Sequence, residues 1–246
     1  MKIPRKINPD NLKDTLVEIR FSSYVPLDLL PGIVFSELAE LGYQYFPLNT
    51  PNISLSSSNT ERNISLGINP ERSGFFIKDD VRIQFIRDTM VFNCVQDRYV
   101  GWDKYFHIIL SVSQLFVGKR VVKSFNKVAI RYISVFENVD IFKNVNLKLN
   151  VPNLGFDLGD TVLRLNKHDG GAKIFVTLTN SAKKQDPKTA AEKQASIVDI
   201  NIFHTFSSDV SDDEMMSVLD RIHSLEKETF FGLITAEFLD SLNPQY

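Results

Sequence analysis

The 246-residue sequence predicts an α+β fold in which antiparallel sheet packs against long helices. Three observations carry that reading. Short segments alternate apolar and polar residues and are separated by tight-turn residues, the pattern of sequential hairpins. Three longer segments instead repeat their apolar residues at helical spacing. The composition sets 19 Phe against 11 Gly and 8 Ala, which suits a thick core between sheet and helices better than a glycine-looped nucleotide-binding sheet.

The first strand is read over residues 16–22 (LVEIRFS), where Val17, Ile19 and Phe21 alternate with Glu18, Arg20 and Ser22. Asp28 is the N-cap candidate for the helix that follows, and Pro31 is tolerated in a first turn. Leu30, Val34, Leu38 and Leu41 recur at helical spacing up to Gly42, which gives a helix over 29–41. Between Tyr43 and Gln96 short strands return. Asn and Ser cluster over 54–63, and the run NPERSG at 69–74 signals a turn. Strands over 75–78, 81–87 and 90–96, joined at Asp79-Asp80 and Asp88-Thr89, make an antiparallel meander.

The second helix opens at Trp102. Tyr105, Phe106, Ile109, Leu110, Ser113, Phe116 and Val117 continue its broad apolar face, and Gly118 closes it. Residues 127–135 (KVAIRYISV) alternate again, and further strands are read over 160–166, 172–180 and 196–205. Asp169-Gly170-Gly171 is a hairpin-turn signal, with His168 at the solvated tip. The lysine-rich, apolar-poor tract at 181–194 reads as a mobile hairpin tip; the alternative, a phosphate-contacting arm, lacks the interleaved aromatic residues that would stack on bases. Ser211-Asp212-Asp213-Glu214 matches a capping box and opens the last helix. Met215, Leu219, Ile222, Leu225, Phe230, Leu233, Ile234 and Phe238 give it a buried side up to Asn243-Pro244. An unbroken helix of about 30 residues would run roughly 45 Å, with Gly232 as the natural place for a kink.

Both halves therefore read strand, meander, long helix, and VAIRY at 128–132 echoes VEIRF at 17–21. The reading is an internal duplication with halves 1–120 and 121–246, meeting near residues 118–124 and forming one unit. Whether they share one sheet is left open by the sequence.

The formal charge of −2 and pI of about 6.1 argue against a general nucleic-acid or anionic-membrane binder. No secretory h-region follows the first residues, and the apolar-leaning segments are amphipathic and too short to span a bilayer, so a cytoplasmic protein without membrane contact is expected. A single cysteine, Cys94, excludes an internal disulfide and a multi-thiolate metal site, and its apolar neighbours suggest a small buried hydrophobe. His107, His168, His204 and His223 show no paired ligand spacing. No phosphate loop or nucleophile elbow occurs. The expectation is no metal, no cofactor and no catalytic residue.

What remains is a charged constellation. Glu18 and Arg20 share a strand face, and Arg131 holds the matching place in the second half. The arginines either sit on a solvent face or pair with cross-strand carboxylates, or the set forms a polar patch where a ligand or partner docks. His223 on the last helix completes the candidate set. From Ser207 to Tyr246 there are nine acidic and two basic residues, a local charge of −7 against +5 elsewhere. That strip is either a solvated helix face or a docking surface for a basic protein.

With VEIRF, the Trp102-x-x-Tyr105 helix start, Arg131-Tyr132-Ile133, and a last helix holding His223, Phe230, Ile234 and Thr235, the sequence resembles an uncharacterised, sporadically distributed bacterial family of about this length. The match touches nearly the whole chain through short motifs. Family members carry Asn after Arg-Tyr-Ile, where this chain has Ser134. The resemblance implies no catalytic residues. It implies a bacterial accessory gene, of the kind carried with mobile or phage-defence loci.

Three functional readings follow. The leading one is a non-enzymatic interaction protein acting through a protein partner or self-association. The second is a small-ligand sensor with an aromatic-lined cavity, which requires a void larger than a few waters. The third is a hydrolase or transferase whose site is dispersed over Glu18, Arg20, Arg131 and His223.

Overall fold

The computed structural model describes residues 3–8, 10–27, 29–47, 74–95, 97–147, 160–185 and 192–246, the side chains of 181, 183–185, 192 and 193 excepted. Its nine strands are β1 (Leu12–Ser23), β2 (Gln44–Phe46), β3 (Phe75–Lys78), β4 (Val81–Ile86), β5 (Thr89–Cys94), β6 (Val122–Glu137), β7 (Val162–Asp169), β8 (Ala172–Gln185) and β9 (Glu192–Thr205). They form one sheet in the order β2-β3-β4-β5-β1-β6-β9-β8-β7, and each neighbouring pair is antiparallel. The α+β class is as the sequence reads, and the two halves contribute to a single continuous sheet.

The strand order mirrors itself about the central β1–β6 pair. In each half the first strand lies at the centre, and the later strands step inward from an outer edge to rejoin it. The register sets Val17 opposite Ile130, Glu18 opposite Ala129 and Ile19 opposite Val128. VEIRF and its echo VAIRY thus run antiparallel against each other, the first three residues of one facing the first three of the other.

Four helices cover one face: α1 (Leu30–Glu40), α2 (Trp102–Gly118), α3 (Asp212–Leu233) and α4 (Ala236–Ser241). Directly opposed residues of antiparallel strands point to the same side. By that rule the register carries Phe76, Ile83, Phe92, Val17, Ile130 and Ile202 on one face. Phe35 of α1 meets Phe76, Phe116 of α2 meets Phe85, His223 of α3 meets Tyr132 and Phe238 of α4 meets Phe136, all on that side. The core lies between, with Ile19, Phe21, Phe92, Tyr105, Ile109 and Phe116 fully buried. Phe21, Phe85 and Phe92 from the strands and Phe116, Phe230 and Phe238 from the helices help to fill it, whereas Phe175 and Phe203 stack on the other face of the sheet.

Several boundaries differ from expectation. The first helix begins at Leu30 after a Leu29 N-cap that makes no side-chain bond, and the expected cap Asp28 lies outside the described residues. The second hairpin turns at Arg87-Asp88, not Asp88-Thr89, because Arg87 takes the left-handed conformation at φ 53°. Asp79-Asp80 and Gly170-Gly171 both turn with positive φ at two successive residues, as their hairpins require. In α2, Gly118 is the last helical residue and Arg120, at φ 55°, makes the left-handed exit. The tract read as a hairpin tip over 181–194 is shorter than expected, since β8 runs to Gln185 and β9 starts at Glu192. The remaining tip, and the turn signals over 54–63 and 69–73, lie outside the described residues.

The last helix is not continuous. Ser211 caps it as predicted, its hydroxyl accepting from the Glu214 N–H at 3.1 Å. It stops at Leu233 because Ile234 turns extended and bridges Val145, after which Thr235 caps α4 through the Phe238 N–H. Asn146 secures the break by donating to the Ile234 carbonyl at 2.8 Å. Among the described residues no helix is long and apolar enough to cross a membrane.

Candidate functional site

The four residues singled out by the sequence fall on both sides of the sheet. Glu18, Arg20 and Arg131 lie on the face away from the helices. Arg20 donates to Asp88 at 2.9 Å, and Arg131 makes a two-pronged pair with Asp199 of β9 at 2.9 and 2.7 Å. Asp199 and, less strongly, Asp14 and Glu18 hold the Arg131 guanidinium above its ordinary range. The Arg131–Asp199 contact is the cross-strand pairing that alternating charged strands favour, while Arg20 reaches an acid in the β4–β5 turn. His223 lies apart from them, buried beneath the helical layer.

Around His223 the helical layer leaves a cavity of about 320 Å³. That is roughly ten times the liquid volume of one water and lies at the lower end of small-molecule sites. Its walls come from four stretches of chain. On β6, Tyr132 and Ser134 project inward by strand alternation. On α3, His223, Glu226, Lys227 and Phe230 recur at i, i+3, i+4 and i+7 and form one stripe. Gly101, at φ 84°, lets the chain turn sharply from Tyr99 into α2, which brings Trp102 against that stripe. The fourth stretch holds Arg5, Lys6 and Ile7, pinned where the Arg5 N–H donates to the Gln245 carbonyl and the Gln245 N–H donates back to the Lys6 carbonyl.

Trp102 stacks flat on His223 with ring centroids 3.8 Å apart and planes 6° from parallel. Its indole N–H donates to Asp220 at 2.7 Å, fixing the ring. Tyr99 and Tyr132 share a hydroxyl contact of 3.1 Å. Burial pushes both phenols upward. Burial lowers His223 to about 3, with the neighbouring Lys227 charge acting the same way, so the imidazole is neutral. Burial raises Glu226 to about 8, only partly offset by Lys227. Its carboxyl therefore keeps its proton at neutral pH.

Glu226 is 5% exposed and has no hydrogen-bond or ion-pair partner among the described residues. A buried carboxyl normally finds a donor. Here its open direction is the cavity.

Of the charged constellation read from sequence, only His223 reaches this cavity. Trp102 and Tyr132 were visible as motif residues without an assigned role. Tyr99, Glu226, Lys227, Arg5 and Lys6 were not singled out. Glu226 carried a signal all the same, an acid set on the apolar stripe of Ile222, Leu225 and Phe230. The acidic strip on the last helix is also less free than its charge count suggests. Asp212 accepts from Ser113 at 2.8 Å, Asp220 holds Trp102, and Glu226 is buried.

No protein-family model matches this chain, and no curated protein is significantly similar to it.

Proposed function

We propose that this is a small-ligand-binding protein whose ligand occupies the cavity between β6, α2 and α3. The observation that carries the reading is the unpartnered, buried Glu226 carboxyl set among the rings of Tyr99, Trp102, Tyr132, Phe230 and Phe231. A shell of aromatic rings with a few oriented polar groups is the usual make-up of a small-molecule site. Trp102, Tyr132, His223 and Phe230 also belong to the motifs behind the bacterial family resemblance, and they meet at this one place. Trp102 is the only tryptophan of the chain, so its emission reports on the cavity directly. Titration with a neutral aromatic fragment that does not itself emit in the tryptophan band, such as benzamide, is expected to change that emission saturably. Ser134→Phe, which fills the cavity from β6, should abolish the response while leaving cooperative unfolding intact. A linear, non-saturating response in the parent protein would count against the reading.

A second reading, binding to a protein or to another copy, is favoured by a different surface. Leu29, Phe35, Leu41, Tyr45 and Phe46 are all exposed around α1 and the outer strand β2. An outer strand with exposed rings invites pairing. Phe46→Lys should then shift the sedimentation coefficient toward that of a single chain, and a parent protein that already sediments as a monomer at high concentration would exclude self-association.

We also infer that the mirrored strand order and the pairing of VEIRF with VAIRY descend from duplication of one strand-meander-helix unit.

A further inference from the structure

The cavity lining divides by exposure into a floor and a mouth. The floor is buried and holds Glu226, His223, Tyr132, Phe230 and Phe231. At the mouth Arg5 and Lys6 are exposed and Lys227 half-buried, and none of the three has a carboxylate partner among the described residues. Besides Glu226 on the floor, the one acid lining the cavity among the described residues is Asp10, whose carboxylate already accepts the Leu12 N–H at 3.0 Å. The mouth therefore carries two net positive charges, in a protein whose overall charge is −2. That imbalance selects an anion.

The floor selects something else. Aromatic walls favour a flat unsaturated body. A protonated carboxyl offers one O–H donor beside one carbonyl acceptor. That pair matches a heterocycle edge on which a ring acceptor adjoins an N–H. Of the Tyr99 and Tyr132 hydroxyls, only one proton is used in their mutual bond, so the second is available to the same ligand.

We propose that the cavity takes a planar heteroaromatic ligand with an anionic tail, of the nucleoside monophosphate class, Glu226 reading the edge of the ring and Arg5, Lys6 and Lys227 holding the phosphate. This assignment rests on the ligand-binding reading above and adds the ligand's chemistry to it.

Emission from Trp102 tests it with the intact protein, titrated separately with AMP, GMP, CMP, UMP, the corresponding nucleosides and inorganic phosphate. At least one monophosphate should bind saturably, roughly tenfold or more tighter than its nucleoside. Arg5→Gln combined with Lys227→Gln should reduce that monophosphate to the affinity of the nucleoside. Glu226→Gln keeps a donor beside an acceptor and should bind within roughly threefold of the parent, whereas Glu226→Leu should lose roughly tenfold or more. Circular dichroism and cooperative unfolding check that each variant is folded. Equal losses in the Gln and Leu variants, or equal responses to a nucleotide and to phosphate alone, would overturn the assignment. If benzamide saturates the site while no monophosphate does, the ligand class fails and the cavity reading survives. If neither produces a saturable change, both fail.

Discussion

Glu226 and His223 lie three residues apart on one stripe of α3 and are shifted in opposite directions by the same burial. Their effects on stability therefore oppose each other across pH. The unfolded values are 4.5 for Glu226 and 6.5 for His223, against folded values of about 8 and about 3. Between roughly 6.5 and 8 only Glu226 differs: the unfolded chain has released a proton that the folded chain keeps, so stability falls as pH rises. Between roughly 3 and 4.5 only His223 differs: the unfolded chain gains a proton that the folded chain refuses, so stability falls as pH drops. From about 4.5 to 6.5 the two slopes cancel. Each slope has a limiting size of about 1.4 kcal/mol per pH unit. The other charged groups facing the pair are Lys227 on α3, Arg5, Lys6 and Asp10 at the mouth, and the Tyr99 and Tyr132 phenols, which titrate above this window. Urea denaturation at a series of pH values is the measurement. Glu226→Gln should gain on the parent protein progressively as pH rises from about 4.5 toward 8, and His223→Gln should gain on it as pH falls from about 6.5 toward 3. A difference between Glu226→Gln and parent that does not change with pH would show that Glu226 ionises normally in the folded state.

At the scale of the element, legibility depended on whether the information was local. The apolar stripes of α2 and α3 and the alternation in β1 and β6 are written in consecutive residues, and those elements were readable. Paired turn residues such as Asp79-Asp80 and Gly170-Gly171 carry their own backbone preference. Where an element is extended or cut by a distant partner, the sequence was silent. β1 begins at Leu12 because β6 is long enough to pair with it there, opposite Ser134. The break after Leu233 is imposed by Val145 and Asn146, almost ninety residues earlier in the chain. Propensity placed the irregularity close by, at Gly232, although Gly232 itself remains helical. The cavity was hidden for the same reason. Its walls come from residues near 5, 100, 132 and 226, and no local pattern joins them. The sequence instead drew attention to Glu18, Arg20 and Arg131, whose regular spacing reflects strand pairing on the opposite face.

The halves 1–120 and 121–246 share more than a sheet. Their first strands, β1 and β6, are each other's central partners, so separating the halves would expose one of the long paired edges of the sheet. The helices are interlocked as well. Ser113 of α2 donates to Asp212 of α3, Trp102 of α2 stacks on His223 of α3, and the amino-terminal segment is paired with Gln245 at the far end of the chain. Val17, Ile130, Phe92 and Ile200 belong to one continuous apolar cluster that crosses the midline. Two-state unfolding is ordinary for chains under roughly 150 residues and less so above that length. Here the shared core argues that 246 residues unfold as one unit. Urea unfolding followed by Trp102 emission and by far-ultraviolet circular dichroism should give coincident transitions, since Trp102 sits where the halves meet. The separate fragments should each lack a cooperative transition and should regain native Trp102 emission when mixed. Two resolved transitions, or a fragment that folds alone with native-like protection of its β1 or β6 amides, would show that the central pairing joins two autonomous domains instead of building one.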